Sequence, residues 1–300
     1  MNTKSLNIGQ VGITPVEIPY LEIGSGSPVG TILALQHGGE WSPLWVIKEV
    51  IKHQTEIKGT IRIIPVANPF GFIAGTRNET IEGSNLNREY PGNPHGNFSA
   101  RLAHAIFTLC KSSDFVIDLH TFDRQSPFLV GYMKQIEPQP KVQKLIQLLS
   151  PDVVWVVDDK DNEDRKFKGC LFAALTEVLV PSVFVEMPNY QSITPELIFR
   201  ISQGLINVFT NYSSELKISD KKISEFKTKC IYPDNAGLFE PLVKLLETVA
   251  INQPIGEIYT LPKFERTIIT TPYAGTIITI KGRSVVRTGT RLASIGTQLT

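Results

Sequence analysis

The sequence has few cysteines, no excess of charge of one sign and no long apolar run. Cys110, Cys170 and Cys230 are widely separated and form no CxxC pair, which argues against a disulfide framework and against a thiolate zinc site. Thirty basic residues against 29 acidic ones leave a formal charge of +1 with no basic cluster, so neither nucleic acid nor an anionic membrane is expected as a partner. No apolar run approaches the ~20 residues that span a bilayer, and the first residues form no apolar leader. We therefore expect a cytoplasmic protein whose thiols are free.

Short β-branched segments alternate with stretches of helical period up to a polar segment that begins near Ser213. The pattern predicts strands at 31–36, 60–66, 115–119, 153–157 and 182–186, and helices at 99–111, at 171–180 and after Ser42, a plausible N-cap followed by Pro43. Continuous apolar strands separated by helices are typical of a doubly wound, mostly parallel sheet that is covered on both faces. We expect this α/β domain to occupy residues 1–225.

The last part of the chain, residues 226–300, is rich in Gly, Thr, Ile and Val and nearly repeats itself. The aligned pairs are Gly237 with Gly275, Val249 with Val286, and Ile255 with Leu292. Each unit has the pattern strand, turn, strand, turn, strand, so two units are expected to form a small all-β barrel or sandwich of hammerhead-like repeats. Such units resemble those of lipoyl and biotinyl carrier domains. Because no lysine at a hairpin tip suggests an attachment site, we interpret this part as a structural cap.

Polar residues follow three of the predicted strands. His37 and Glu40 come directly after the first of them, His120 follows the strand at 115–119, and Glu186 ends the strand at 182–186. Ligands of open α/β sheets bind beyond the carboxyl ends of the strands. The sequence therefore predicts that these four side chains meet at one edge of one sheet.

Two imidazoles and a carboxylate form a typical ligand set for catalytic zinc, with a coordination position left open. We expect His37, Glu40 and His120 to hold the ion and Glu186, unligated, to act as the general base of an amide hydrolysis. Asp118, two residues before His120 on the same strand face, is a candidate to orient the His120 ring.

The two glycines between His37 and Glu40 and the three remaining histidines complete this interpretation. Gly38 and Gly39 are expected to let the backbone bend so that His37 and Glu40 face one ion. The remaining histidines are interpreted as non-ligands, since two lie in helical stretches and one in a loop: His53, His104 and His95.

A long segment rich in Gly, Asn and Pro separates the first two strand-end sites and carries Arg77 and Arg88. Long loops inside compact domains are commonly functional. A guanidinium can bind a carboxylate through two hydrogen bonds or stabilise an oxyanion, so both arginines are candidates for the site.

The ordered set H-G-x-E, N-P, Arg, N-R-x-Y-P-G, D-L-H-T and a later strand-end Glu resembles the succinylglutamate desuccinylase/aspartoacylase family, which is part of the zinc carboxypeptidase group. The resemblance covers nearly the whole chain. It implies one Zn²⁺ on His37, Glu40 and His120, and Glu186 as general base. It also implies that Arg77 polarises the scissile carbonyl, and that the carboxylate of an N-acyl amino acid is held by Asn87 and Arg88.

Two departures from the family pattern border the expected substrate pocket. Asn85 stands where the family usually has an acidic residue, and residues 187–189 follow the base where the family tends to have glycine. Pocket hydroxyls from tyrosine are a further option, although a structural role is the simpler interpretation for each of the three candidates, Tyr190, Tyr259 and Tyr273.

We expect zinc-dependent hydrolysis of a small-molecule N-acyl amino acid, by a chain that could form a homo-oligomer. One alternative is a zinc carboxypeptidase acting on a small or cell-wall peptide, with Arg88 binding the terminal carboxylate. The β-rich part favours the deacylase, because it could cover the site and exclude long substrates. A second alternative is a catalytically degenerate binding protein, although all three ligands and the base are present.

Overall fold

A computed structural model describes residues 1–135, 139–158, 160, 167–214 and 223–299. Within them the strands are β1 (Asn2–Val11), β2 (Thr14–Ser25), β3 (Val29–Ala34), β4 (Gly59–Ile64), β5 (Phe115–Phe122), β6 (Leu129–Met133), β7 (Val153–Val157), β8 (Ser182–Pro188), β9 (Glu225–Ile231), β10 (Gly237–Pro241), β11 (Thr248–Val249), β12 (Pro254–Thr260), β13 (Glu265–Thr270), β14 (Gly275–Ile280), β15 (Ser284–Val286) and β16 (Ala293–Gln298). The α-helices there are α1 (Ser42–Lys52), α2 (Pro69–Ala74), α3 (Phe98–Lys111), α4 (Pro140–Leu149), α5 (Leu171–Glu177) and α6 (Pro195–Asn211).

Twelve strands form one sheet in the order β1-β2-β4-β3-β5-β8-β6-β7-β9-β16-β14-β11. The strands β4, β3, β5 and β8 at its centre are parallel, as the continuous apolar segments predict. All eight residues of β5 are buried, because helices cover both faces of the sheet at this point.

The sheet as a whole is mixed rather than mostly parallel. The antiparallel hairpin of β1 and β2 adds to one side through β2 and β4. On the other side β6 runs antiparallel to β8 and starts a parallel group with β7 and β9. The expectation of a mostly parallel sheet therefore holds for its centre and for the group of β6, β7 and β9, but not for the whole sheet.

Helices pack on both faces, which confirms the doubly wound arrangement. α1, α4 and α6 contribute buried side chains to one core, and α3 and α5 contribute buried side chains to the other.

The N-cap of α1 lies one residue earlier than expected. Trp41 occupies the N-cap without a side-chain cap bond, and the Ser42 hydroxyl instead donates to the Pro188 carbonyl at 2.7 Å, which ties α1 to the end of β8.

The last strands form a second layer. β13, β12, β10 and β15 make a four-stranded sheet, and a separate core lies between this sheet and the end of the large one. β10 pairs with β12 of its own unit and with β15 of the other, and β14 pairs in the same way with β16 and β11. The two units thus exchange their middle strands, while their assignment to the hammerhead class stays a prediction.

The expected boundary at residues 225 and 226 falls within β9, which pairs with β7 on one side and with β16 on the other. The sheet is continuous across this point, and the division into two domains stays a prediction. The polar segment that begins near Ser213 is expected to link the two domains; its residues 215–222 lie outside the described residues, and its last residues belong to β9. No helix in the described part of the chain is long and apolar enough to cross a membrane.

Candidate metal centre and cavity

His37 and Glu40 lie on the tight turn that follows β3, where the Glu40 backbone N–H donates to the His37 carbonyl at 3.1 Å. Gly38 is required there by space: a Cβ on it would lie 1.9 Å from the Gly71 carbonyl carbon at the start of α2. Neither Gly38 nor Gly39 has a positive φ. Close approach of two backbones is therefore the physical reason for glycine at Gly38, and the expectation that the two glycines let the backbone bend toward one ion stays a prediction.

His120 lies within β5 rather than directly after it, and Glu186 lies two residues before the end of β8 rather than at its end, because both strands extend farther than the apolar pattern indicates. The two residues are direct partners in the parallel register of β5 and β8. Their side chains therefore emerge on the same face of the sheet, next to the turn that carries His37 and Glu40.

The Glu40 carboxylate lies between the two histidines. Its Oε1 is 2.8 Å from Nδ1 of His37, and its Oε2 is 3.0 Å from Nδ1 of His120. The Thr121 backbone N–H also donates to Oε2, at 3.1 Å, and fixes the carboxylate. One ligand atom from each of these three side chains lies within 4.8 Å of the others, so the three residues could hold a single metal ion.

Each histidine has an oxygen acceptor on its far nitrogen. Oδ2 of Asp118 lies 2.8 Å from Nε2 of His120, which confirms the expected partner of that ring. Oδ1 of Asn85 lies 3.0 Å from Nε2 of His37, a contact that the sequence did not indicate. When these acceptors take the Nε2 protons, the lone pair of each Nδ1 is available to an ion bound beside Glu40.

Among the described residues, the buried atoms without a hydrogen-bond partner include Nδ1 of His37 and Oε2 of Glu186. The His37 nitrogen is close to Glu40, yet their geometry is not that of a hydrogen bond. A buried polar atom without a partner is costly, and here it belongs to a set of two imidazoles and one carboxylate. The donor set therefore fits a divalent ion such as Zn²⁺.

Burial and neighbouring charges shift the pKa values of all three candidate ligands. Burial raises the pKa of Glu40, but the two facing imidazoles outweigh it and hold the pKa well below the ordinary value. Burial lowers the pKa of His120, but the Asp118 and Glu40 carboxylates outweigh it and raise the pKa well above the ordinary value. The pKa of His37 is lowered, chiefly by burial.

Glu186 has the environment of a proton acceptor. Burial raises its pKa to about 8, with a further contribution from the Glu40 charge. A cation bound at the adjacent ligands would lower that pKa again, since an opposite charge favours the ionised form. A carboxyl that titrates near neutral pH suits general acid–base work.

A cavity of about 660 Å³ opens beside these side chains, and Arg77 and Arg88 line it together with Glu40 and Glu186. Nη1 of Arg77 is 3.4 Å from Oε1 of Glu40. Nη1 of Arg88 donates to the backbone carbonyl of Asn87 at 2.5 Å. Both arginines therefore lie where a substrate in the cavity would meet them.

Asn87 is placed differently. It is buried, its Oδ1 accepts from the Leu171 backbone N–H at 2.9 Å, and its Nδ2 lies 3.2 Å from Nε2 of His120. The residues that line the cavity do not include it. The expected contact between Asn87 and a substrate carboxylate stays a prediction, and the structure adds a contact with His120.

The remaining candidates are spread over the molecule. His53 pairs with Glu56 at 2.8 Å at the end of α1, His104 is in α3 and exposed His95 is in a loop. Tyr190 lines the cavity, whereas the Tyr259 hydroxyl donates to Glu257 and the Tyr273 ring packs under Lys229. The cysteines are free thiols, two of them buried.

The cavity also has residues that the sequence analysis missed. Arg124 follows the end of β5, and Tyr232 and Arg291 come from the β-rich part of the chain. Arg124 lies only four residues after His120, and this short spacing indicates a position near the same end of β5. Arg291 is distant in sequence from the other residues of the site, and only the fold brings it there.

The catalytic-domain model of the succinylglutamate desuccinylase/aspartoacylase family matches residues 30–212. The chain belongs to this family, as the ordered motifs indicate. The N-alpha-acetyl-L-2,4-diaminobutyric acid deacetylase of Halomonas elongata is 24% identical over 269 residues, which cover 84% of this chain and 76% of that protein.

Two solved structures have the same fold. A product-bound ectoine utilization protein from Ruegeria pomeroyi is 20% identical with a TM-score of 0.81, and the match covers 95% of this chain and 90% of that one. A succinylglutamate desuccinylase/aspartoacylase from Rhodobacter sphaeroides is 18% identical with a TM-score of 0.82, and the match covers 99% and 96%. These likenesses extend the shared fold to the β-rich part, beyond the residues matched by the family model.

Proposed function

We propose that this protein is a zinc-dependent hydrolase that cleaves the amide bond of an N-acyl amino acid and holds one Zn²⁺ per chain on His37, Glu40 and His120. The observation that carries the proposal is the convergence of these three ligand atoms within 4.8 Å, beside a buried Glu186 carboxylate oxygen that has no partner. The name of the Halomonas elongata relative, a deacetylase of an amino acid, supports the same reaction type.

When bound, Zn²⁺ would act as a Lewis acid toward the scissile carbonyl and lower the pKa of water in its open coordination position. Glu186 would accept the proton of the attacking water and deliver it to the leaving amine. Its direct pairing with His120 in the register of β5 and β8 supports this role.

Arg77 would stabilise the negative charge that develops on the carbonyl oxygen, because its guanidinium is already beside Glu40. Arg88 would bind the substrate carboxylate, with Asn87 as the second predicted partner. Cys170 lies 2.8 Å from Nη1 of Arg88, and burial raises the pKa of its thiol to about 11, so the thiol is neutral and leaves the Arg88 charge available. Binding of the carboxylate would orient the amide over the ligands, and this orientation would raise the rate of hydrolysis.

The test is the substitution Glu186→Gln, which keeps the shape of the side chain and removes its base. Zinc content should stay at one ion per chain, while release of the amino acid from N-acyl substrates should fall by about 10²–10⁴-fold. Glu40→Gln, in contrast, should lower the zinc content, and Glu196→Gln on the exposed start of α6 should change neither quantity.

The substrate panel for this test should contain N-acetyl and N-succinyl amino acids together with short peptides. Faster release from peptides would favour the carboxypeptidase alternative. Full zinc content without turnover of any substrate would favour the binding protein, and unchanged turnover in the Glu186→Gln variant would overturn the assignment of the base. The cytoplasmic location and a homo-oligomeric state stay predictions.

A further inference from the structure

The helix α1 carries apolar side chains on two faces, although only one face packs against the sheet. Its inner face is buried through Val46, Ile47 and Val50. Between its outer face and α2 lies an open groove of about 680 Å³, a volume typical of small-molecule sites. Apart from Lys48, the side chains that line the groove are aromatic or aliphatic: Trp41, Leu44, Trp45, Phe72, Ile73 and Tyr190.

Several of these apolar side chains are in contact with water. Ile73 is 81% exposed and Trp45 is 50% exposed, and Phe72 and Tyr190 are exposed as well. Contiguous exposed apolar surface is unfavourable in water and commonly marks a binding site. Among the described residues that line the groove, only Lys48 is charged, and its Nζ lies 5.2 Å from the centre of the Trp45 ring. The groove therefore suits an apolar ligand rather than a charged one.

The groove meets the cavity of the candidate metal centre at a pair of aromatic rings. Trp41 directly follows Glu40, and its Nε1 donates to the Gly38 carbonyl at 2.7 Å, which fixes the indole ring on the turn that carries two candidate ligands. The indole ring packs against the Tyr190 ring, with 4.9 Å between the ring centres. Tyr190 lines both the groove and the cavity. The groove is therefore continuous with the candidate active site.

The groove and Arg88 lie toward opposite faces of the sheet. Nη1 of Arg88 is 2.8 Å from Sγ of Cys170, the N-cap of α5, and α5 contributes buried side chains to the core that it shares with α3. The buried side chains of α1 belong to the core on the other face. The candidate metal ligands lie between them, at the edge of the sheet. A substrate that binds Arg88 through its carboxylate would therefore extend its acyl group toward α1.

We propose that the groove binds a long, unbranched apolar acyl chain, so that the preferred substrates are N-acyl amino acids with fatty-acyl groups rather than acetyl or succinyl groups. This inference rests on the proposed function, because it names the acyl group that is released there. Hydrolysis breaks the amide C–N bond, and water supplies the hydroxyl group of the fatty acid and a proton of the free amine. The Halomonas elongata relative is named for an acetyl substrate, so the two proteins are expected to differ in the length of the acyl group.

The first test varies the length of the acyl chain on the zinc-loaded full-length protein. It measures kcat/KM for the N-acetyl, N-hexanoyl and N-decanoyl derivatives of L-alanine and of L-glutamate, each below its micelle concentration. We expect kcat/KM to rise with chain length by up to about fourfold per methylene, the factor that corresponds to ~0.8 kcal/mol per buried CH₂. Equal or lower values for the decanoyl substrates would refute the proposal.

Substitutions on the groove wall test where the chain lies. Ile73→Gln and Trp45→Gln each place an amide on the apolar wall and should flatten the dependence on chain length. Ile13→Gln is the matched control for Ile73→Gln, because Ile13 is 95% exposed between β1 and β2. Phe199→Gln on α6 is the control for Trp45→Gln, and both controls should keep the full dependence. Exposure makes Ile73→Gln safe for folding even if Trp45→Gln is not. A dependence that survives both groove substitutions would overturn the proposal.

A binding measurement locates the chain without requiring turnover. Decanoate should bind the zinc-loaded protein more tightly than butanoate in titration calorimetry. 10-Bromodecanoate should quench tryptophan fluorescence, since its bromine at the chain end would lie near Trp45. Trp45→Phe should remove most of this quenching, whereas Trp155→Phe should not, because Trp155 lines the cavity rather than the groove. Quenching that depends on Trp155 instead would place the chain in the cavity and refute the groove as its site.

These measurements separate the inference from the proposed function. Decanoate binding that depends on Trp45, in a protein that hydrolyses no N-acyl substrate, would support the groove and refute the hydrolase. Hydrolysis with equal use of N-acetyl and N-decanoyl substrates would refute the groove alone. A dimer in analytical ultracentrifugation that Ile73→Gln dissociates, together with no decanoate binding, would identify a second copy of the chain as the occupant and overturn the proposal.

Discussion

Replacing Asp118 with asparagine should weaken zinc binding while leaving the His120 hydrogen bond in place. Oδ2 of Asp118 takes both contacts, from His120 at 2.8 Å and from the Gln36 side-chain amide at 2.6 Å. Oδ1 is buried and has no partner. An asparagine oxygen at the position of Oδ2 would keep both contacts, so the substitution removes mainly the negative charge behind the ring.

The loss of that charge makes His120 a weaker ligand. Substitution of such outer partners typically costs 10–100-fold in metal affinity. Since each tenfold change is about 1.4 kcal/mol, we expect zinc binding to weaken by about 1.4–2.7 kcal/mol. The new amide N–H₂ would be buried without an acceptor, and that cost of about 1–3 kcal/mol should appear in the free energy of unfolding of the zinc-free protein.

Asn85→Asp is the matched opposite change on the other histidine. Oδ1 of Asn85 accepts from Nε2 of His37 and from the Asn87 backbone N–H, so an aspartate can accept both bonds and add a charge behind the ring. We expect tighter zinc binding, by up to about tenfold. Competition with a chromophoric chelator at fixed pH measures both variants. Equal zinc affinity in Asp118→Asn and the wild type would refute the idea that the buried carboxylate strengthens the ligand.

Further predictions concern the candidate metal centre and the loop beside it. Because the pKa of His120 is raised well above its ordinary value, a proton competes with the metal for this ring, so zinc binding should release a proton and tighten as pH rises; calorimetry in buffers of different ionisation enthalpy measures this. Gly38→Ala should abolish folding or zinc binding, whereas Gly39→Ala, whose Cβ would lie 3.1 Å from a carbonyl oxygen, should be milder in both assays. Glu79→Gln should lower the free energy of unfolding by about 1–3 kcal/mol, measured with urea, because this buried carboxylate accepts three backbone N–H bonds and a serine hydroxyl.

Local patterns were sufficient to predict the parallel centre of the sheet and the proximity of His37, Glu40, His120 and Glu186. β3, β5 and β8 are largely buried on both faces and are therefore mainly apolar, so the polar residues at or near their ends, His37, His120 and Glu186, are visible in the sequence. The partner of His120 was predictable for the same reason, since Asp118 is two residues away on the same strand face.

Features that depend on long-range pairing could not be predicted in this way. β1 and β2 form an edge hairpin with many exposed residues, which weakens the apolar signal. The direction of β6 depends on its pairing with β8, and no local pattern encodes that choice. Asn85 reaches His37 and Arg291 reaches the cavity only because the chain folds back on itself.

The continuity of the sheet through β9 affects how this protein could be shortened or recombined. A chain cut before β9 would leave β7 with an unpaired edge, and β7 is the fully buried segment Val153–Val157. Exposed edges of apolar strands pair readily with other chains, so such a fragment would tend to aggregate. Exchange of the β-rich part between relatives should therefore succeed only when the joint preserves β9 beside β7.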